Sequence, residues 1–146
     1  MKNFLFILIL GSLNLFSFGA MAASENFGDY SVYYQAVNST FLDADIARQY
    51  GIVRSDRRAF LNISVLKNSD DGSSAAVSAQ VSGGKRNLLG QTGEIDFREI
   101  QEGQAIYYIG EFDYSNAEIV RFRLEVSPEG SDISHEISWE TRMYNN

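Results

Sequence analysis

Cysteine is absent from the 146 residues of this chain, and proline, histidine and tryptophan each occur once. The lack of cysteine excludes disulfides, thiolate metal sites and thiol catalysis. A lone histidine leaves no second imidazole for a His-based metal site and provides only one base for a serine nucleophile. Apolar packing must therefore hold the fold together, and 45% of the residues are hydrophobic.

The first 22 residues differ in character from everything that follows. Met1 to Asn3 form a short basic start, residues 4–18 are rich in Phe, Leu and Ile, and residues 20–22 (Ala-Met-Ala) give the small-x-small pattern that a signal peptidase accepts. The longest apolar run, residues 4–10, is shorter than the roughly 20 residues of a membrane span. We predict a signal peptide over residues 1–22, cleaved after Ala22, and hence a periplasmic location. An uncleaved anchor is the alternative.

The charge balance is acidic, with 19 Asp and Glu against 12 Lys and Arg. Loss of Lys2 with the leader would take the net charge from −7 to −8. A surface of this sign repels phosphate backbones and anionic membrane surfaces, so we expect no nucleic-acid partner. No second hydrophobic segment follows the leader, so we expect no stable membrane insertion after cleavage.

Alternating apolar and polar residues recur through residues 23–146, which we predict to form one domain. This pattern of period two indicates strands with one buried face. The predicted strands cover residues 27–37, 60–67, 76–82, 106–114, 120–126 and 133–143, with a shorter paired stretch or two in 88–100. Turn clusters separate them, including 68–72, 83–85, 102–103 and 128–130. About seven strands at this spacing predict an all-β antiparallel sandwich.

One segment departs from the strand pattern. Asp43 is a suitable N-cap, residues 44–50 are helix formers that place Ile46 and Tyr50 on one face, and Gly51 suits the residue after a helix. We predict one short helix here, following the first strand. Arg48, Arg54, Arg57 and Arg58 lie in and after this helix, and arginine clusters bind carboxylates and phosphates through forked hydrogen bonds. Pairing with neighbouring acids is the alternative reading of the cluster.

No catalytic constellation is recognisable in the sequence. His135 lies between Ile133 and Ile137 on the apolar face of the last predicted strand, which favours a histidine at the margin of the core over a general base. The Gly-x-Ser-x-Gly elbow of serine hydrolases is missing, and Asp70-Asp71-Gly72 fits a turn better than a calcium loop. We therefore predict a protein that is not an enzyme and needs no metal or other cofactor.

The stretch Asn38-Ser39-Thr40-Phe41-Leu42, followed by Tyr50-Gly51-Ile52-Val53-Arg54-Ser55, resembles a family of exported gammaproteobacterial proteins catalogued as domain of unknown function 4426. The resemblance extends over residues 23–146 and is strongest in residues 27–67. It implies an immunoglobulin-like β-sandwich. The family has no established activity, so the resemblance implies no catalytic residues.

The helix and its flanking loops, residues 38–58, form the predicted contact surface of a non-catalytic binding domain. Its candidate binding residues are Asn38, Ser39, Thr40, Arg48, Tyr50 and Arg54. Arg48 or Arg54 would recognise an anionic group, and Tyr50 would pack against the ligand, which is either a small anion or a protein of the periplasm. The same segment could instead be a plug that caps one end of the sandwich.

Two further functions compete with this prediction. An assembly factor would pair a partner chain with a strand edge, for which residues 27–37 are the candidate strand. An enzyme acting on carbohydrate or cell-wall peptide would need a pair of carboxylates in one pocket.

Overall fold

The computed structural model describes residues 22–145. Residues 1–21 of the predicted signal peptide lie outside the described residues, and the first strand begins at Ala23, directly after the predicted cleavage point. In the part of the chain that is described, neither helix has the length and apolar content to cross a bilayer.

Residues 22–145 form ten strands, one 3₁₀ helix and one α-helix. The strands are β1 (Ala23–Phe27), β2 (Tyr30–Asn38), β3 (Arg58–Asn68), β4 (Ser74–Ala76), β5 (Ala79–Asn87), β6 (Thr92–Glu94), β7 (Phe97–Glu102), β8 (Ala105–Asp113), β9 (Glu118–Pro128) and β10 (His135–Met143). The 3₁₀ helix (Ser39–Phe41) and α1 (Ala44–Gln49) lie between β2 and β3.

Antiparallel pairing arranges the strands in two sheets. The larger sheet has the order β1-β2-β3-β8-β7, with β4 paired to β3, and the smaller has the order β10-β9-β5-β6. One apolar core joins them, in which the ring of Phe112 of β8 meets that of Phe122 of β9 edge-on, 5.0 Å between centroids. The predicted all-β antiparallel sandwich is therefore confirmed.

The alternating pattern of β9 shows why the core forms. Its inward residues are at most 1% exposed: Val120, Phe122, Leu124 and Val126. The residues between them are exposed: Arg121, Arg123 and Glu125. Because successive side chains of a strand point to opposite faces, this sequence can bury only one face of the strand.

α1 forms where the sequence predicts a helix. Asp43 precedes it in the N-cap position, and Gly51 follows it with φ 68°, a conformation that costs glycine little because it has no Cβ. The helix follows the second strand rather than the first. The predicted strand 27–37 is interrupted by a tight turn at Gly28 and Asp29, with φ 54° at the glycine, and becomes β1 and β2. Splits of this kind give ten strands where about seven were predicted.

The segment 38–58 lies as a layer on the outer face of the larger sheet. Leu42 and Ala47 from this segment pack against Phe60 of β3 and Ile109 of β8, in an apolar cluster separate from the core between the sheets. Phe60 is fully buried, although it points away from that core. The part of the segment around α1 therefore covers a sheet face, and not an end of the sandwich as the alternative prediction of a plug has it.

Two local predictions are wrong. Residues 83–85 do not form a turn, because β5 runs straight through Gly83 and Gly84, which pair with Leu124 and Arg123 of β9. The predicted free edge, residues 27–37, is also largely occupied. β2 pairs with β1 over Tyr30–Tyr34 and with β3 along its whole length, so a partner strand cannot add along that stretch.

Candidate functional site

A cleft lies between the two sheets at one end of the sandwich. The strand registers bring together the start of β3 and the end of β8, where Arg58 pairs with Asp113. They also bring together the end of β5 and the start of β9, where Asn87 pairs with Val120. The loop that leaves the outer layer enters β3 at the same place. We call this end of the molecule the cleft end, and the opposite one the far end.

The cleft has a volume of about 480 Å³, within the range of small-ligand sites. Three parts of the chain line it: Ser55, Arg57 and Arg58 at the entry to β3; Lys85, Asn87, Gln91 and Thr92 in the β5–β6 hairpin; and Asp113, Tyr114, Ser115 and Glu118 around the β8–β9 turn. A second hollow of about 360 Å³ shares Asn87, Gln91, Ser115 and Glu118 with it and adds Leu88 and Leu89. The two hollows together form a groove along the cleft end.

Three cations line the cleft, and two of them are already engaged. Arg58 lies 3.3 Å from the carboxylate of Asp113 and 3.8 Å from that of Glu111. Lys85 donates a hydrogen bond to the main-chain oxygen of Asp113. The guanidinium of Arg57 makes no hydrogen bond or ion pair with any of the residues 22–145. Arg57 is therefore the cation of the cleft that is available to a ligand.

The other ionisable groups of the cleft hold its walls. Glu118 accepts a hydrogen bond of 2.9 Å from the backbone N–H of Ser115, which closes the β8–β9 turn. Tyr114 donates from its hydroxyl to the main-chain oxygen of Tyr144 at 3.1 Å. Burial, with the negative charge of Asp56, raises the pKa of Tyr114, so its phenol stays a neutral donor. Glu118 and Tyr114 are thus bonded within the protein, whereas the guanidinium of Arg57 is left for a ligand.

Ser39 ties the two ends of the outer layer together. Its buried hydroxyl donates to the carbonyl oxygen of Ser55 at 2.9 Å and accepts from the backbone N–H of Ser55 at 2.9 Å. Both main-chain groups of Ser55 are satisfied in this way. Because Ser55 is part of the cleft wall, Ser39 positions the wall without facing the cleft.

Ser39→Ala is expected to lower the free energy of unfolding by about 1–3 kcal/mol, because it leaves the partly buried backbone N–H of Ser55 without a partner. The carbonyl oxygen of Ser55 keeps a hydrogen bond from the N–H of Arg58 at 3.2 Å. Urea denaturation would measure the loss. Ser134→Ala is the matched control, since Ser134 is exposed, and should change stability by less than about 0.5 kcal/mol. Equal effects of the two substitutions would contradict the role given to Ser39.

Asn38, Thr40 and Arg54, also predicted as binding residues, lie beside Ser39. Arg54 donates to the carbonyl oxygen of Thr40 at 3.4 Å, and the side chain of Asn38 donates to that of Tyr144 at 3.0 Å. The structure thus brings four of the six predicted residues together at the cleft end, where their bonds are to the main chain. Contact of these residues with a ligand stays a prediction.

Arg48 and Tyr50 lie apart from the cleft, in and after α1. Arg48 forms an exposed ion pair with Asp45 at 3.4 Å, a kind of pair that contributes little stability. The hydroxyl of Tyr50 donates to Glu102, and its carbonyl oxygen accepts from Arg98 at 2.7 Å and 3.2 Å. Burial, reinforced by the Glu102 carboxylate, raises the pKa of Tyr50. Tyr50 therefore fastens the outer layer to β7.

His135 lies at the far side of the core from the cleft. Its ring stacks on that of Phe27, with 4.4 Å between centroids, and its Nε2 lies 3.6 Å from the carboxylate of Glu25. Ile133 precedes β10 and is 61% exposed, so it does not share the buried face predicted for it. Across residues 22–145, no group of three or more His, Asp and Glu side chains is placed to hold a metal ion.

Sequence reasoning missed the second wall of the cleft. Lys85, Asn87, Gln91 and Thr92 come from the β5–β6 hairpin, which belongs to the other sheet. No local pattern connects this hairpin with the basic residues around Arg57. Of the residues that line the cleft, the predicted contact surface 38–58 contains Ser55, Arg57 and Arg58.

Comparison with known proteins identifies a family. The sequence profile of the family described as Domain of unknown function (DUF4426) matches residues 24–146. The crystal structure of a DUF4426 family protein from Pseudomonas aeruginosa PAO1 matches with a TM-score of 0.74 and 27% sequence identity, over 86% of this chain and 96% of that one. No curated protein matches the sequence. The family resemblance identified from the sequence is confirmed.

FetP from uropathogenic Escherichia coli strain F11 has a similar fold. Its as-isolated form, recombinantly expressed in the periplasm, matches with a TM-score of 0.63 and 8% identity, over 86% of this chain and 95% of that one. A copper-bound variant of FetP matches with a TM-score of 0.63 and 9% identity, over 86% and 96% of the two chains. At this level of identity the likeness shows the fold alone.

Proposed function

The chain belongs to the family described as Domain of unknown function (DUF4426), and we propose that it is a non-catalytic binding domain of the periplasm whose cleft takes an anionic group. The leader-like pattern of residues 1–22 supports the location. The proposal keeps segment 38–58 as part of the contact surface, but gives the contact to its exit, residues 53–58, rather than to α1.

The observation that carries this proposal is the unpaired guanidinium of Arg57 in the cleft. Ionised arginine presents a planar fork of donors that matches the oxygens of a carboxylate or phosphate. Lys85 adds positive charge to the same walls, in a protein whose net charge is −7, whereas the charge of Arg58 is balanced by Asp113. The amides of Asn87 and Gln91 and the hydroxyls of Ser55 and Thr92 offer further hydrogen bonds to such a ligand.

Arg57→Gln is expected to weaken binding of inorganic phosphate or citrate about tenfold or more, because a hydrogen bond to a charged group contributes about 1.5–3 kcal/mol. Isothermal titration calorimetry at fixed ionic strength would measure it. The melting temperature should not fall, because the Arg57 side chain has no partner to lose within residues 22–145.

Arg48→Gln is the control, since it removes an exposed arginine of the outer layer that lies away from the cleft. It should leave phosphate affinity within about twofold of the unsubstituted protein. Equal losses in the two variants would show nonspecific attraction, and absence of binding by the unsubstituted protein would refute the proposal.

A further inference from the structure

The arginines of residues 22–145 fall into two groups by their pairing. Five have a carboxylate within 4.0 Å: Arg48, Arg58, Arg98, Arg121 and Arg123. The four without one in this part of the chain are Arg54, Arg57, Arg86 and Arg142, and all four lie at the cleft end. Asp56, Asp113 and Glu118 lie among them, but Asp113 is already paired with Arg58. Arginines without a carboxylate partner are thus concentrated at one end, although Arg54 and Arg142 each donate to a main-chain carbonyl oxygen.

The far end has the opposite sign. Its turns carry five acidic residues: Asp29, Asp70, Asp71, Glu129 and Asp132. Lys67, near the end of β3, is a cation at this end. β3, with eleven residues, is about 35 Å long, whereas charges in about 0.1 M salt are screened within about 10 Å. A surface that approaches the cleft end therefore meets its positive charge and not the net charge of the protein.

Exposed apolar side chains lie at the same end. Leu88 and Leu89, at the tip of the β5–β6 hairpin, are 61% and 85% exposed. Phe41, three residues after β2 ends, is 66% exposed, and Tyr144, just after β10, is 56% exposed. Leucine and aromatic side chains beside basic residues are the combination with which amphipathic helices bind a bilayer interface, and these loops present the same combination.

We infer that the cleft end docks on an anionic phospholipid surface, with Leu88 and Leu89 inserted among the lipids and the unpaired arginines on the headgroup phosphates. The inference rests on the proposed function, because it names lipid phosphate as the anion that the cleft takes. Free phosphate offers the same chemistry to Arg57, but makes no use of the two leucines.

The test is co-sedimentation with vesicles of phosphatidylglycerol and phosphatidylethanolamine, against vesicles of phosphatidylcholine alone. The protein is produced with its own leader and purified from the periplasmic extract, where its mass reports the loss of residues 1–22. We expect binding to the anionic vesicles only. Leu88→Ser with Leu89→Ser should weaken it about tenfold or more, and 0.5 M salt should weaken it by a similar factor.

Matched variants at the far end serve as controls. Ile133→Ser removes an apolar side chain that is 61% exposed, as Leu88 is, and should leave vesicle binding within about twofold. Arg57→Gln with Arg86→Gln should weaken binding about tenfold, whereas Lys67→Gln should not.

The outcomes separate this inference from the proposed function. Binding of inorganic phosphate without binding to anionic vesicles overturns the inference and leaves the proposed function standing. Absence of both overturns both. Vesicle binding that is unchanged by the leucine substitutions also overturns the inference. So does capture of a partner protein through Leu88 and Leu89 when the protein does not bind vesicles.

Discussion

Gly83→Ala is expected to destabilise the protein by about 4 kcal/mol or more, a large part of the 5–15 kcal/mol that holds a domain folded. A Cβ at this position would overlap the carbonyl oxygen of Arg123 and lie 2.8 Å from the Cα of Leu124. The φ of 145° adds backbone strain that only glycine avoids. Thermal and urea denaturation, followed by circular dichroism, would measure the loss.

Gly72→Ala separates the two causes. Gly72 also has a positive φ, 86°, but no atom lies within 4 Å of the Cβ position. This control should therefore show only the backbone cost, about 1–2 kcal/mol. A loss of that same size for Gly83→Ala would mean that β9 can move away, and that β5 does not lie as close to it as described.

Phe60→Ala should lower the free energy of unfolding by about 3–5 kcal/mol, the usual cost of removing a buried aromatic side chain. Phe60 is fully buried beneath the outer layer, with Leu42, Ala47 and Ile52 against it. Its loss should also speed hydrogen exchange in residues 44–58 more than in β9, because the layer loses its main apolar contact with the sheet.

Phe41→Ala is the matched control for this prediction. Phe41 belongs to the same layer but is 66% exposed, so its removal should cost less than about 1 kcal/mol. If the two phenylalanines proved equivalent, or if exchange in residues 44–58 did not change in Phe60→Ala, the layer would not be packed on the sheet in the way the structure shows.

The outer layer connects these stability predictions with the proposed site. Phe60 and Ser39 hold the layer in place, and the layer presents Ser55 and Arg57 to the cleft. Loosening it should therefore weaken anion binding even though no ligand-contacting residue is changed. Arg57→Gln, by contrast, should weaken anion binding without lowering the stability of the fold.

The two glycines of β5 show where local sequence misleads. A Gly-Gly pair after a strand pattern is an ordinary turn signal, and residues 83–85 were predicted as a turn for that reason. In the structure Gly84 pairs with Arg123 on one side and Glu94 on the other, so both neighbouring backbones approach closely. Glycine suits both a tight turn and a strand whose neighbours approach closely, and only the neighbouring strands in space decide which of the two forms.

The alternation of side chains by itself determined the fold class, because a strand with one apolar face must bury that face against another sheet. The helix formers of residues 44–50 and Gly51 likewise determined α1, although Asp43 in the N-cap position makes no capping hydrogen bond with its side chain. The cleft was decided only by tertiary structure, since Arg57 lies in the loop before β3, Lys85 lies in β5 of the other sheet, and the two meet through strand registers that no local pattern encodes. The separation of charge between the two ends was decided in the same way. The composition gives a net charge of −7. Because charges are screened over about 10 Å, a partner responds to the charges at the end that it approaches and not to this net charge.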